Sequence, residues 1–155
     1  MRSPGCPLGD SGVSLARRTA LRPQGAKAAR WERWQDSQKR VVLQRAMYSC
    51  EGCEKRDRYV LPDRHHLTQQ QLSEPWRSSA LLCAALCREC HDDWHDGRMT
   101  EEVRNELLWD AALRLYAAII PTRPHLLVGA PLDAIRGLIR EADADGVLPP
   151  GYREP

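Results

Sequence analysis

Cys50-Glu51-Gly52-Cys53, Asp63-Arg64-His65-His66-Leu67 and Cys87-Arg88-Glu89-Cys90-His91, with His95 one helical turn further on, decide how this chain is read. The two Cys-x-x-Cys knuckles offer four thiolates, a full tetrahedral shell for structural zinc. Thiolates at i and i+3 can both reach one ion, and zinc would close a loop over the 33 residues between the pairs. Four of the five histidines, His65, His66, His91 and His95, lie between the knuckles or just after them. A zinc site made of four thiolates does not need them, so a second, open metal site is implied. An alternative stays open: His91 or His95 could replace a cysteine at the zinc. Cys83, four residues before Cys87, could do the same, but reads better as a small apolar packing residue. Cys6 and His125 fall outside the pattern and are read as inert.

Working outward, 155 residues hold one modest domain plus extensions. Phenylalanine is absent and the aromatics are five tryptophans and four tyrosines, which predicts a small core that a zinc staple would help to fold. No run of 18 apolar residues is present, which argues against a membrane span. The basic N-terminus lacks the apolar stretch of a signal peptide. Cysteines in knuckles beside histidines favour metal over disulfides, hence a reducing, cytoplasmic setting. The formal net charge of +2 conceals an asymmetry: residues 1–45 carry ten Lys/Arg against three Asp/Glu, and the remainder carries thirteen against eighteen. A basic arm ahead of a metal-bearing module predicts a polyanionic partner, DNA first.

Local patterns set the elements. Residues 1–25 are rich in Gly, Pro, Ser and Arg and are expected to be disordered. Trp31, Trp34, Gln38, Val41 and Val42 mark one face of a helix over 26–47, and that spacing assigns both tryptophans to the core. Arg58–Leu61 is expected as a short strand before Pro62, and 68–80 as a polar loop. The apolar run 80–86 fits strand or helix equally. A helix over 88–96 would put His91 and His95 on one face and stop at Gly97. Thr100 caps the next helix, whose stripe is Val103, Leu107, Leu108, Ala111, Leu115 and Ile119. A shorter helix follows at 132–142, and 143–155 reads as a mobile tail.

Cys50-x-x-Cys53, His65-His66-Leu67 and Leu86-Cys87-x-x-Cys90-His91-x-x-x-His95 together resemble the HNH, or ββα-metal, endonuclease family over about residues 40–96. The basic leader, with Leu15-Ala-Arg-Arg-Thr-Ala-Leu-Arg-Pro, is similar in composition to that of small phage and prophage HNH proteins. The resemblance implies hydrolysis of DNA phosphodiester bonds. His66 would be the general base that activates water. His65 and His91, with His95, would hold a divalent ion, Mg²⁺ by preference and also Mn²⁺ or Ni²⁺. Arg64, Arg77, Arg88 and Arg98 become candidate phosphate contacts. One letter departs: where the family has an asparagine five residues before the second knuckle, this chain has Leu82, and its single asparagine is Asn105. Ser78, Ser79 or a backbone carbonyl would then have to orient the base.

The expected architecture is therefore α+β: a disordered basic arm (1–25), a zinc-stapled ββα-metal core with a leading helix (26–99), flanking C-terminal helices (100–142) and a tail. Two other functions fit the same residues. One is a non-catalytic zinc module that binds nucleic acid; the other is an adaptor that offers the 100–120 helix to a protein partner.

Overall fold

A computed structural model describes residues 25–57, 60–68, 72–119 and 127–153. The leader with Cys6, half of the strand expected at 58–61, and His125 lie outside the described residues; Val60 and Leu61 are not in a strand.

Helix α1, Ala26–Arg45, buries Trp34, Gln38, Val42 and Leu43. The inward face runs 34–38–42 and takes in the Leu43 flank, so Val41, expected inside, is exposed. Strands β1, Asp63–His66, and β2, Cys83–Leu86, pair antiparallel with Asp63 opposite Leu86 and His66 opposite Cys83. All four residues of β2 are buried. Cys83 and Ala85 meet Val42, Leu43 and Ala46 of α1, while Ala84 and Leu86 enter the main core. With both faces covered the strand carries no polar alternation, which is why its pattern alone could not separate strand from helix.

The stretch expected as a polar loop forms a 3-10 turn at Trp76–Ser78, and the apolar run 80–86, which fitted strand or helix equally, opens with a second, Ala80–Leu82, before it becomes β2; the two turns bury Trp76, Ser78, Ala80 and Leu82. Their polar atoms find partners inside: the Ala80 N–H donates to Gln38 Oε1 at 2.9 Å, and the Trp76 indole N–H donates to Asp143 at 2.9 Å.

Helix α2, Arg88–His95, follows β2 directly, and Gly97 leaves it at φ +69°, a left-handed exit that glycine takes without strain. Helix α3, Glu101–Ile119, begins with the Val103 N–H donating to Thr100 Oγ1 at 3.4 Å and buries Leu107, Leu108, Ala111, Ala112 and Leu115. Helix α4, Pro131–Ala144, opens on a proline, whose missing N–H costs nothing there, and packs against α3 through Ala134, Ile135, Leu138, Ile139 and Ala142. The sheet is thus covered by α1 on one face and by α2 on the other, with α3 packed on the second 3-10 turn and α4 on α3. Residues before and after position 100 share one core.

The end of the chain differs from the expected mobile tail. Helix α4 runs to Ala144, Pro149 is fully buried, and Tyr152 packs edge-on against Trp31 and Trp34. The Trp34 indole N–H donates to the Pro150 carbonyl at 3.4 Å. Proline and glycine are poor helix formers, but here they leave an extended segment free to lie on α1. Among the described residues no helix is long and apolar enough to cross a membrane.

Candidate metal centres

The first knuckle is a tight turn: the Cys50 N–H donates to Lys55 O at 3.0 Å and the Glu54 N–H to Cys50 O at 2.8 Å. Glu54 takes a left-handed φ of +59° to close it. Gly52 is there for space. A Cβ at this position would lie 3.3 Å from Leu86 Cδ2 and 3.4 Å from Cys90 Sγ. The second knuckle starts α2, with Cys87 as its N-cap. The Cys87 N–H donates to Cys50 Sγ at 3.3 Å. The four sulfurs of Cys50, Cys53, Cys87 and Cys90 all lie within 4.8 Å of one another and could hold a metal ion.

Their acidities show what such an ion would relieve. Burial pushes the Cys53 and Cys90 thiols up. At Cys50 burial also acts upward, but the backbone N–H groups of Cys87, Cys53 and Gly52 outweigh it and hold the thiol below its ordinary value. Four thiolates brought this close repel unless a cation sits among them.

A strut invisible in the motif fixes this cluster to the sheet. Arg45 clasps the Glu51 carboxylate with two N–H groups, each at 3.1 Å, and donates to the carbonyls of Ala80 at 2.7 Å and Cys83 at 2.8 Å. Glu51 in turn accepts the Ala85 N–H at 2.6 Å. From the other side Arg114 donates to the carbonyls of Leu81 and Cys83. Burial brings the Arg114 pKa down to about 10, so it remains a cation at neutral pH.

The second cluster is His65 on β1 with His91 and His95 on α2. Their ring nitrogens also lie within 4.8 Å of one another, with ring centroids 4.7 to 5.0 Å apart. The i, i+4 spacing of the helix puts two rings side by side, and the strand supplies the third. His65 is 3% exposed. Its Nε2 and the Nδ1 of His91 are buried and make no hydrogen bond, although the Asp92 carboxylate stands 3.6 Å from the latter. A buried polar nitrogen left unpaired is costly, and a metal ion at the centre would satisfy both. Burial, reinforced by His91, His95, His66 and Arg104, lowers the His65 pKa to about 3, so the ring keeps its lone pair at neutral pH. Trp94 stands edge-on to His65 at 5.2 Å, and the Arg104 guanidinium stacks over Trp94 at 4.7 Å. Beyond Trp94 opens a cleft of about 630 Å³ lined by Thr68, Arg104 and Asn105 among others.

His66 is not part of this trio. Adjacent strand residues point to opposite faces, and its register partner Cys83 belongs to the α1 side. His66 Nδ1 lies 2.9 Å from the Arg77 carbonyl, which can only accept, so Nδ1 carries the proton and Nε2 is left as the free base. Burial, the largest influence, keeps the ring below its ordinary pKa. The residue at the departing position, Leu82, is fully buried in the main core. Ser78 does not serve the histidine either: its hydroxyl donates to Glu74 at 2.8 Å. A backbone carbonyl holds the ring.

The four candidate phosphate contacts are all engaged within the chain. Arg77 pairs with Glu74, Arg88 with Asp92, and Arg98 with Asp93 and Asp96. Arg64 donates to the Gln35 carbonyl at 3.1 Å. Sequence reasoning missed Arg104, which nothing local marks. It also passed over Trp94, although a tryptophan between two helical histidines was visible. No family model matches this chain, and no curated protein or solved structure matches it.

Proposed function

We propose that the chain is a metal-dependent endonuclease of the HNH type, built on a ββα-metal core and hydrolysing DNA phosphodiester bonds. The observation that carries this reading is the separation of two donor sets on one strand-pair-and-helix unit. One set is four thiols knitted by backbone hydrogen bonds, which suits structural zinc. The other is three clustered imidazoles, two of which bury a ring nitrogen that makes no hydrogen bond, which suits Mg²⁺, Mn²⁺ or Ni²⁺ with positions left for substrate. A divalent ion bound there supplies Lewis-acid stabilisation to the pentacoordinate phosphate and the leaving 3′ oxygen.

The remaining work falls to side chains of this protein. His66, neutral and oriented by the Arg77 carbonyl, takes a proton from the attacking water through Nε2. It closes β1 immediately after His65 and is near enough to influence that ring electrostatically. Arg104, which lines the cleft and stacks on Trp94 beside His65, is the cation offered to a phosphate there. The direct test is supercoiled plasmid incubated with zinc-loaded protein and Mg²⁺, Mn²⁺ or Ni²⁺, with His66→Ala alongside. Cleavage by the parent and not by the variant is expected, and nicked against linear product reports strand behaviour.

One observation favours a second reading. His66 faces the α1 side of the sheet, away from the three imidazoles. If it does not swing toward the metal, the protein is a zinc module that binds nucleic acid or a protein partner without cutting. Intact zinc content, salt-sensitive DNA binding and no cleavage with any ion would establish that instead.

A further inference from the structure

Away from both clusters, the N-terminal half of α1 and the end of the chain enclose a pocket of about 300 Å³. Its aromatic surface is Trp31, Trp34 and Tyr152. The two indoles lie 5.1 Å apart and tilted, with Tyr152 edge-on to both at 6.1 and 5.2 Å. Its rim is Lys27, Arg30, Arg33 and Arg153, and no carboxylate lines it. Trp34 is core, but Trp31 remains partly open to solvent. The spacing that assigned both tryptophans to the core is therefore half right. Arg77, Arg88 and Arg98 are ion-paired, whereas among the described residues none of the four rim cations is.

We infer that this pocket binds an unpaired nucleotide of a nucleic-acid strand, with the base against Trp31 and Tyr152 and its flanking phosphates among the four cations. The chemistry selects the ligand. Aromatic side chains attract any flat π-face, and unpaired bases offer both of theirs. A cationic guest such as a methylated ammonium would suit the rings but would be repelled by the rim. An acidic peptide would suit the rim and leave the rings unused. A paired base has its faces covered by its neighbours, so duplex DNA fits less well. The pocket volume falls at the lower end of the range for small-molecule sites, which is the scale of one base and its sugar. Helix α1 carries this pocket near its start and contacts β1 further along, where Lys39 meets Asp63 and Arg64 meets the Gln35 carbonyl. One strand could therefore engage both regions, yet the pocket stands on its own residues and does not need the nuclease reading.

The test uses the full chain carrying His66→Ala, zinc-loaded and without added divalent ions, so that binding is read without turnover. Fluorescence anisotropy is followed with a labelled oligothymidylate, the same strand made abasic, an oligouridylate, and a duplex of equal length. Binding to the base-bearing strands about tenfold tighter than to the abasic strand is expected, the size of one stacked base. Trp31→Leu removes that difference. Arg30→Glu with Arg33→Glu, both exposed, weakens base-bearing and abasic strands alike and flattens the salt dependence. The stronger of the thymidylate and uridylate complexes tells DNA from RNA as the natural strand. Equal affinity for abasic and base-bearing strands, equal affinity for duplex, or a folded Trp31→Leu protein that keeps the base preference would each overturn the assignment. Plasmid cleavage by the parent tests the metal site separately and moves none of these readings.

Discussion

The thiol cluster and the imidazole cluster share helix α2 and differ in almost every physical respect. The thiols come from two turns, are threaded by backbone N–H donors, and crowd a Cβ-free glycine. Nothing larger than an ion fits between them. The imidazoles come from a strand and a helix, keep two buried nitrogens without a hydrogen bond, and are separated by Trp94 from a cleft. A closed donor set can contribute folding energy; an open one can admit a substrate atom. The same eight-residue helix serves both, with Cys90 and His91 adjacent in sequence but directed to different centres.

The contrast breaks most visibly when a thiol is removed. Cys90→Ser should lose zinc and with it the cooperative melt, because structural zinc in small domains is worth on the order of 10 kcal/mol. His91→Ala should keep one tightly bound zinc and its melting transition while losing the second, weaker metal. Metal analysis after dialysis beside thermal melts checks both, and loss of the tight zinc from His91→Ala would show that the two centres are not independent. Next in size is the proposed base, His66. With the histidine triad intact, His66→Ala should lower the cleavage rate about 10²- to 10⁴-fold, the range for a single general base. Single-turnover kinetics at saturating Mg²⁺ measure it, with unchanged metal stoichiometry as the control.

A smaller effect sharpens how the two centres are joined. Glu51 sits inside the first knuckle, yet its carboxylate holds Arg45 and the Ala85 N–H of the strand beside His65's partner Ala84. Glu51→Gln keeps the shape and weakens these charge-assisted bonds, so stability should fall by about 2 kcal/mol with zinc still bound. Chemical denaturation monitored with zinc stoichiometry decides it. An unchanged midpoint would mean that the knuckle is positioned by its metal alone.

These expectations rest unevenly on what the sequence displays. Ligand chemistry demands particular residue types at particular spacings, so Cys50, Cys53, Cys87, Cys90, His65, His91 and His95 stand out and the fold brings each set together. The stripe of α3 was equally legible because one face meets one core. Three features were not. The run that forms β2 is buried on both faces and so loses its period. Arg45, Glu51 and Arg114 hold backbone groups of Ala80, Cys83, Ala85 and Leu81, more than thirty residues away in sequence, and so have no local signature. The chain end, Val147 to Arg153, has a composition that signals mobility, and only the aromatic surface of α1 gives Pro149 and Tyr152 somewhere to pack.

Cys83 supplies the smallest and cleanest contrast with the four clustered thiols. It lies in β2 between them in sequence, but it is fully buried against the α1 side with His66 Nδ1 at 3.6 Å. Burial, the largest influence, raises its pKa to about 12 from an ordinary 9.0. A thiol whose pKa is raised by folding contributes its full stabilisation below the unfolded value and loses it as pH climbs toward the folded one, because the unfolded chain releases the proton first. The parent should therefore lose about 1 kcal/mol more stability than Cys83→Ala between about pH 9 and pH 10. The other four thiols contribute the same slope in the parent and in Cys83→Ala, so they cancel in the difference between the two. Denaturant melts of both proteins across the window measure the difference. Parallel curves would mean that Cys83 meets water in the native state, and that the α1 face of the sheet is looser than the face that carries His65.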